Sequence, residues 1–272
     1  MKRVVLKGRG ARRRPLRSDT LHGLLAWGVR EVYGPAAVAR FLGAGGSGDL
    51  DSDAAPALVL TSTFPCSAQR SWFPRPLGEE SAWMDDAELL SRVAGVPPAS
   101  SPDPSLAPDE GADLFFLAYG RHEPMLEAAL LYLERAGFGG NAATGESAYE
   151  VEIQETEFVR PAKVGETGLL LSLWSPSDAE RAALVEASAD RDDVRWEVER
   201  RQGVAGGRRM PLARPIKRAV AMIREGSVVP VVGLGQSPVV GRIEAEGDAF
   251  DVRQPGHGFF VPLATTVAGS VT

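Results

Sequence analysis

Residues 137–145 read Gly-Phe-Gly-Gly-Asn-Ala-Ala-Thr-Gly, and what flanks them limits the folds open to this chain. Upstream, Met125, Leu126, Ala129, Leu130, Tyr132 and Leu133 recur at helical spacing, and Gly137 stands where a left-handed C-terminal cap falls. Downstream, Tyr149, Val151 and Ile153 alternate with Glu150, Glu152 and Gln154, the pattern of a half-buried strand. Glycine loops that bind nucleotides run from strand into helix, so that phosphate meets the positive end of the helix dipole. This loop leaves a helix, which argues against a dinucleotide or NTP site. It offers instead a nearly bare backbone whose N–H groups can approach an extended anionic polymer.

The remaining apolar pattern sets the order of elements. Val4, Val5 and Leu6 predict a first strand. Ser18, Asp19 and Thr20 offer N-caps for a helix whose face carries Leu21, Leu24, Leu25, Gly28, Val29 and Val32 and which stops at Gly34-Pro35. Strands follow at 57–63 and 113–119, separated by a Pro-, Ser- and acid-rich connection at 77–112 with one short helix near 85–93. The helix before the glycine loop and the strand from Ala148 complete the order strand, helix, strand, strand, helix, strand, that of a ferredoxin-like unit. After Pro161 comes an apolar run at 168–174 and a helix opened by the capping-box spacing of Ser177 and Glu180. Strands at 194–199, 216–224, 227–232, 239–245 and 259–263 then make a smaller, strand-rich second half. The expected fold is α+β, with domains at 1–160 and 161–272.

The 272 residues, 44% of them hydrophobic, suffice to bury a core in each half. Cys66 is the only cysteine, which excludes an intramolecular disulfide and a cysteine-built zinc site and fits a reducing, cytoplasmic setting. No run approaches eighteen apolar residues, so a membrane-spanning chain is not expected. Charge is unevenly placed. Residues 1–17 hold Lys2, Arg3, Lys7, Arg9, Arg12, Arg13, Arg14 and Arg17 without an acid, leaving 22 of the 30 basic side chains to face all 36 acidic ones elsewhere. A basic arm thus precedes an acidic body of net −14, against −6 for the whole chain. A second acid-free run contains Arg200, Arg201, Arg208, Arg209, Arg214, Lys217 and Arg218.

Several segments in this order resemble the RAMP superfamily of CRISPR-associated proteins, most closely the fourth-subunit group of the type III-A Csm effector complex. They are Ser18-Asp19-Thr20-Leu21-His22-Gly23, Thr61-Ser62-Thr63-Phe64-Pro65 with Trp72-Phe73-Pro74-Arg75-Pro76, the glycine loop, Leu171-Ser172-Leu173-Trp174-Ser175-Pro176, Glu225-Gly226-Ser227 and Gly258-Phe259-Phe260-Val261-Pro262-Leu263. Three features depart from the family pattern. Asn141-Ala142-Ala143 replaces the usual basic residue and serine after the glycine pair, His22 replaces an aromatic residue, and the segment between Pro76 and Asp113 is short. The resemblance implies two ferredoxin-like, RRM-like units with antiparallel sheets, the glycine-rich loop lying between the second helix and fourth strand of the first. It also implies a non-catalytic ribonucleoprotein subunit of antiviral defence, without cofactor or metal. Such a subunit holds the repeat-derived 5′ tag of the crRNA and docks the large palm-domain subunit and the first backbone RAMP subunit.

The residues expected at RNA are Arg12, Arg13 and Arg14 through charge, with Arg75, Arg208 and Arg209 in the same role. Main-chain and polar groups come from Gly137, Phe138, Gly139, Gly140, Asn141, Thr144, Gly145 and Ser147, and the helix start contributes Ser18, Asp19 and Thr20. Trp72 and Phe73 could stack on a base or pack inside. His22 occupies the place of a general base in the endoribonuclease branch of the superfamily, which makes metal-independent crRNA processing the catalytic alternative; a structural adaptor of another RAMP complex is the other. His122 lacks the second histidine of a zinc motif, and His257 reads as structural. Asp49, Asp51 and Asp53 imitate a calcium loop but lack its glycine and final glutamate.

Overall fold

The first strand, β1 (Lys2–Gly8), is buried on both faces, because Val4 and Leu6 point into one apolar cluster and Val5 into another. The computed structural model describes residues 1–8, 15–41, 58–96, 107–109, 111–120, 123–138, 148–189, 191–202, 219–232, 243–246 and 252–264. Within them β1 pairs antiparallel with β6 (Asp113–Tyr119) on one side and β7 (Tyr149–Glu155) on the other. Two short strands, β2 (Val59–Leu60) and β3 (Phe64–Cys66), extend the outer edge of β6, so the sheet runs β2-β6-β1-β7 with β3 also on β6. Helices α1 (Ser18–Tyr33) and α4 (Glu123–Ala136) cover one face. They cross closely at Gly28, where an added Cβ would come within 2.9 Å of Ala129.

The other face is covered by the second half. Val5, Phe115 and Leu117 share a cluster with Leu169, Leu171, Val228, Phe259 and Val261. These belong to or flank β8 (Thr167–Leu170), β11 (Val228–Pro230) and β14 (Phe260–Pro262), an antiparallel sheet in the order β11-β8-β14. The second half also contains α5 (Asp178–Ala187), the pair β9 (Val198–Arg201) and β10 (Val220–Ile223), and the pair β12 (Ile243–Glu246) and β13 (Val252–Pro255). The expected capping box is present: the Ser177 hydroxyl accepts from the Glu180 amide, and the Glu180 carboxylate accepts from the Ser177 amide at 2.7 Å. Ser177→Ala is therefore expected to cost about 1 kcal/mol in urea denaturation, with the spectrum otherwise unchanged.

Three local expectations are revised. Gly34, at φ 83°, ends α1 as expected, but Pro35 opens a further helix, α2 (Pro35–Phe41), rather than stopping the chain. Proline suits a first helical position because its missing N–H would have no partner there. The strand expected at 57–63 is interrupted at Thr61-Ser62-Thr63, whose amides turn to Leu117, Leu171 and Leu16 respectively, tying three segments together. Within the segment read as mostly connection, β5 (Trp83–Asp85) forms an unexpected pair with β4 (Trp72–Pro74), while the short helix expected near 85–93 is present as α3 (Asp86–Ala94), capped by Asp85.

Candidate nucleic-acid interface

Gly8, the last residue of β1, pairs across the ladder with Tyr149, the first of β7. The basic arm leaves β1 after Gly8, and the glycine loop enters β7 just before Tyr149, so the two segments join the sheet at the same end. Arg12, Arg13, Arg14, Gly139, Gly140, Asn141, Thr144, Gly145 and Ser147 lie outside the described residues, as do Arg208, Arg209, His122, Asp49, Asp51 and Asp53. The described borders are well fixed. Gly137 has φ 88°, and its amide donates to the Leu133 carbonyl at 2.7 Å, the left-handed helix end expected from sequence. Phe138 corrects an expectation: it is 3% exposed and packs edge-on against Tyr149 at 5.4 Å, so it anchors the loop in the core instead of facing a ligand.

The arm returns to described structure at Pro15 and meets a polar junction between the two halves. Leu16 donates its amide to Thr63 Oγ1 at 2.6 Å. Arg17 holds Glu225 with both Nε, at 2.9 Å, and Nη2, and reaches Glu199 at 3.0 Å. The Ser62 hydroxyl also donates to Glu225. Burial opposes the charge on Arg17, but Glu225 and Glu199 outweigh it and raise the guanidinium pKa. Ser18 was expected to cap α1. The cap position is instead Arg17, without a side-chain cap, because the Ser18 hydroxyl is buried and accepts from the Leu173 amide at 2.9 Å. The Ser18 amide donates to Ser62 Oγ at 2.9 Å and the Thr20 amide to Asp19 Oδ1 at 2.7 Å, which leaves these two groups no capacity for phosphate. Asp19 also accepts from Arg201 at 3.0 Å. Thr20 is exposed.

That last contact fixes the second basic run. Arg201 ends β9 and pairs with Val220, so residues 203–218 depart from a point gripped by the first turn of α1. The returning arm and the second basic run are thus both tethered at the start of α1. Arg75, by contrast, is turned inward. Its guanidinium donates to the Trp83 carbonyl at 2.6 Å and to Glu88, and its side chain is 9% exposed. It belongs to the β4–α3 corner and not to a phosphate-binding surface. Phe73 is fully buried and Trp72 nearly so, which resolves their two readings in favour of packing.

His22 is 4% exposed, with its ring 5.3 Å from that of Phe41. Burial, with the neighbouring His257 as a lesser cause, lowers its pKa to about 3, while burial lowers that of His257 to about 4. Neither Nδ1 has a hydrogen-bond partner among the described residues. No group of three or more metal-ligating side chains occurs among those residues, and no helix among them is long and apolar enough to cross a membrane. The junction of Arg17, Ser62, Glu199, Arg201 and Glu225 was not foreseen from sequence. Its sequence traces are the hydroxyl run Thr61-Ser62-Thr63, polar residues where a strand was expected, and the segment Glu225-Gly226-Ser227.

No protein-family model matches the chain, and neither does any curated protein. Solved structures do. A chain of a crystal structure of the Csm1–Csm4 cassette in complex with cA4 superposes with a TM-score of 0.60 at 19% identity over 97% of both chains. A chain of the Csm3–Csm4 subcomplex in the type III-A CRISPR-Cas interference complex gives 0.59 at 15% identity, over 97% of this chain and all of that one. Csm4 is the subunit common to the two assemblies, and at these identities the shared property is the path of the backbone: the chain has the fold, mixed helix and antiparallel sheet, of a chain in each of these Csm4-containing structures.

Proposed function

We propose that the chain is a non-catalytic subunit of a type III CRISPR ribonucleoprotein effector complex, that it binds the repeat-derived 5′ tag of the crRNA, and that it docks the large palm-domain subunit and the first backbone subunit. The observation that carries this reading is the pairing of Gly8 with Tyr149, which brings the roots of the arginine arm and of the glycine loop together at one end of the sheet. The loop acts through main-chain N–H groups, Asn141, Thr144 and Ser147, and the arm supplies charge through Arg12, Arg13 and Arg14. Arg208 and Arg209 join them from beyond Arg201, and Thr20 follows Asp19, which Arg201 holds. Neither cofactor nor metal takes part. The sheet order of the first half supports a ferredoxin-like unit, and the similarity to chains in Csm1–Csm4 and Csm3–Csm4 structures supports partners of that kind. The burial of His22 favours this reading over an RNA-processing enzyme, since a general base must reach the hydroxyl it deprotonates.

The test is binding of tagged guide RNA as a function of salt. Changing Arg12, Arg13 and Arg14 together to alanine is expected to flatten the dependence of log K on log salt by about 2, from three lost single-strand phosphate contacts. An unchanged slope removes the arm from the site. Failure of the wild-type chain to assemble with tagged crRNA and a large palm-domain subunit, or to distinguish tagged from untagged RNA, removes the reading itself.

A further inference from the structure

Arg3 lies near the end of β1 remote from Gly8, and its surroundings are not accounted for by RNA binding. It lines a cleft of about 250 Å3 between the β3–β4 turn and the end of β7. The residue is half-buried, and its guanidinium donates to Gln154 Oε1 at 3.0 Å and Ser71 Oγ at 3.2 Å and lies 5.0 Å from the centroid of Phe115. All these partners are neutral. Arg17, Arg75, Arg92, Arg160, Arg191 and Arg201 each face a carboxylate, whereas Arg3 has no ion pair among the described residues. Glu152, on β7, acts on the guanidinium at longer range without closing an ion pair, so an anion that reaches Arg3 directly adds a charge-assisted bond that no carboxylate among the described residues makes. A second cation, Arg70, lines the same cleft; its ion pair with Asp85 is long, at 3.7 Å, and its side chain is exposed. Apolar surface adjoins them. Phe158 stacks one face on the buried Phe73 at 5.6 Å and contributes to the cleft wall.

We propose that this cleft is a protein-docking socket that takes a carboxylate-bearing side chain next to an aromatic one from a partner polypeptide. The carboxylate pairs with Arg3 and Arg70 while the ring rests beside Phe158. The hydroxyls of Ser67, Ser71 and Thr156, all in the lining, supply further polar contacts. Two observations favour a protein segment over RNA. Asp86 also lines the cleft and Asp85 adjoins Arg70, so a chain of phosphates would meet repulsion that a single carboxylate on the arginine side avoids. The socket is also five strand residues from Gly8, roughly 17 Å from the proposed RNA end of the sheet. The inference stands independently of the RNA reading.

The test is titration of the full chain with N-acetyl-Glu-Phe-amide, followed through the backbone amide resonances of Gln69, Arg70 and Ser71. Saturable shifts are expected, with affinity about fivefold weaker for N-acetyl-Gln-Phe-amide, because a charge-assisted bond is roughly twice as strong as a neutral one. The same loss is expected in Arg3→Gln and, as a variant in the loop that leaves the sheet untouched, in Arg70→Gln. Equal affinity for the two peptides, no saturation by either, or tighter saturation by a short oligouridine would each overturn the proposal, the last by marking the cleft as a nucleic-acid site.

Discussion

Glu225→Ala is expected to lower the free energy of unfolding by about 3 kcal/mol, among the larger effects of any single substitution in this chain. Glu225 is 9% exposed and accepts from Arg17 and Ser62 at once. Truncation leaves the Ser62 hydroxyl, itself 2% exposed, without that acceptor and leaves Arg17 with Glu199 alone. Breaking a buried ion pair by removing one partner costs 3–5 kcal/mol because the survivor stays desolvated. The low end applies here, since the Arg17 side chain retains 32% exposure. The mechanism has a signature beyond magnitude. If the loss is that of a stranded charge, the double variant Arg17→Ala/Glu225→Ala loses less than the sum of the single ones, by roughly 1–2 kcal/mol. Guanidinium denaturation of the four proteins reads both numbers. Strict additivity, or a Glu225→Ala cost below about 0.5 kcal/mol, would show that Ser62 and Arg17 find water and that Glu225 adds little to the joining of the two halves.

This junction also marks where sequence reading stops. Elements whose stability is local or periodic are legible: the strand expected at 113–119 occupies Asp113–Tyr119, and the helix from Ser18 to the Gly34 stop is present as drawn. The capping box at Ser177 is legible because it is complete within four residues. Contacts made across the chain leave no such trace. Ser18 has the composition and position of an N-cap, yet its hydroxyl serves the amide of Leu173, 155 residues away. Arg75, in a loop that reads as a basic surface, closes on Glu88. Phe138 interrupts a glycine run and reads as part of the loop, but Tyr149 across the loop gives it a buried partner. In each case a tertiary partner outweighed a local preference, and a single sequence supplies no covariation from which to find that partner. The roots of the proposed RNA site follow similar logic. The arm and the loop are each visible as composition, but their common origin exists only through the register of β1 on β7.

Acid should destabilise this chain earlier than its carboxylates require, because of His22 and His257. Both imidazoles are held neutral by burial, with pKa lowered to about 3 and about 4. In the unfolded chain both titrate near 6.5. The unfolded state therefore binds protons first as pH falls, and stability present in full above about 6.5 drains away down to the lowered folded values. His22, 4% exposed, should account for roughly 2 kcal/mol of loss by pH 5. His257, lowered to about 4, loses a similar amount over the same window, because its folded value also lies below pH 5. The window from 6.5 to 5 isolates the histidines, because Glu152, Glu155 and Glu166, whose pKa values are lowered by Lys7, Lys2 and Arg160 respectively, release their stabilisation only below the ordinary glutamate value of 4.5. His22→Leu, which places an apolar side chain beside Phe41, should flatten the decline by about half or more in urea midpoints at pH 7.5, 6 and 5. Parallel curves for the two proteins would mean that His22 titrates in the fold as it does in the unfolded chain. A histidine with a pKa near 6.5 is poised for general-base chemistry at neutral pH, so that outcome would return His22 to the reaction its burial now argues against.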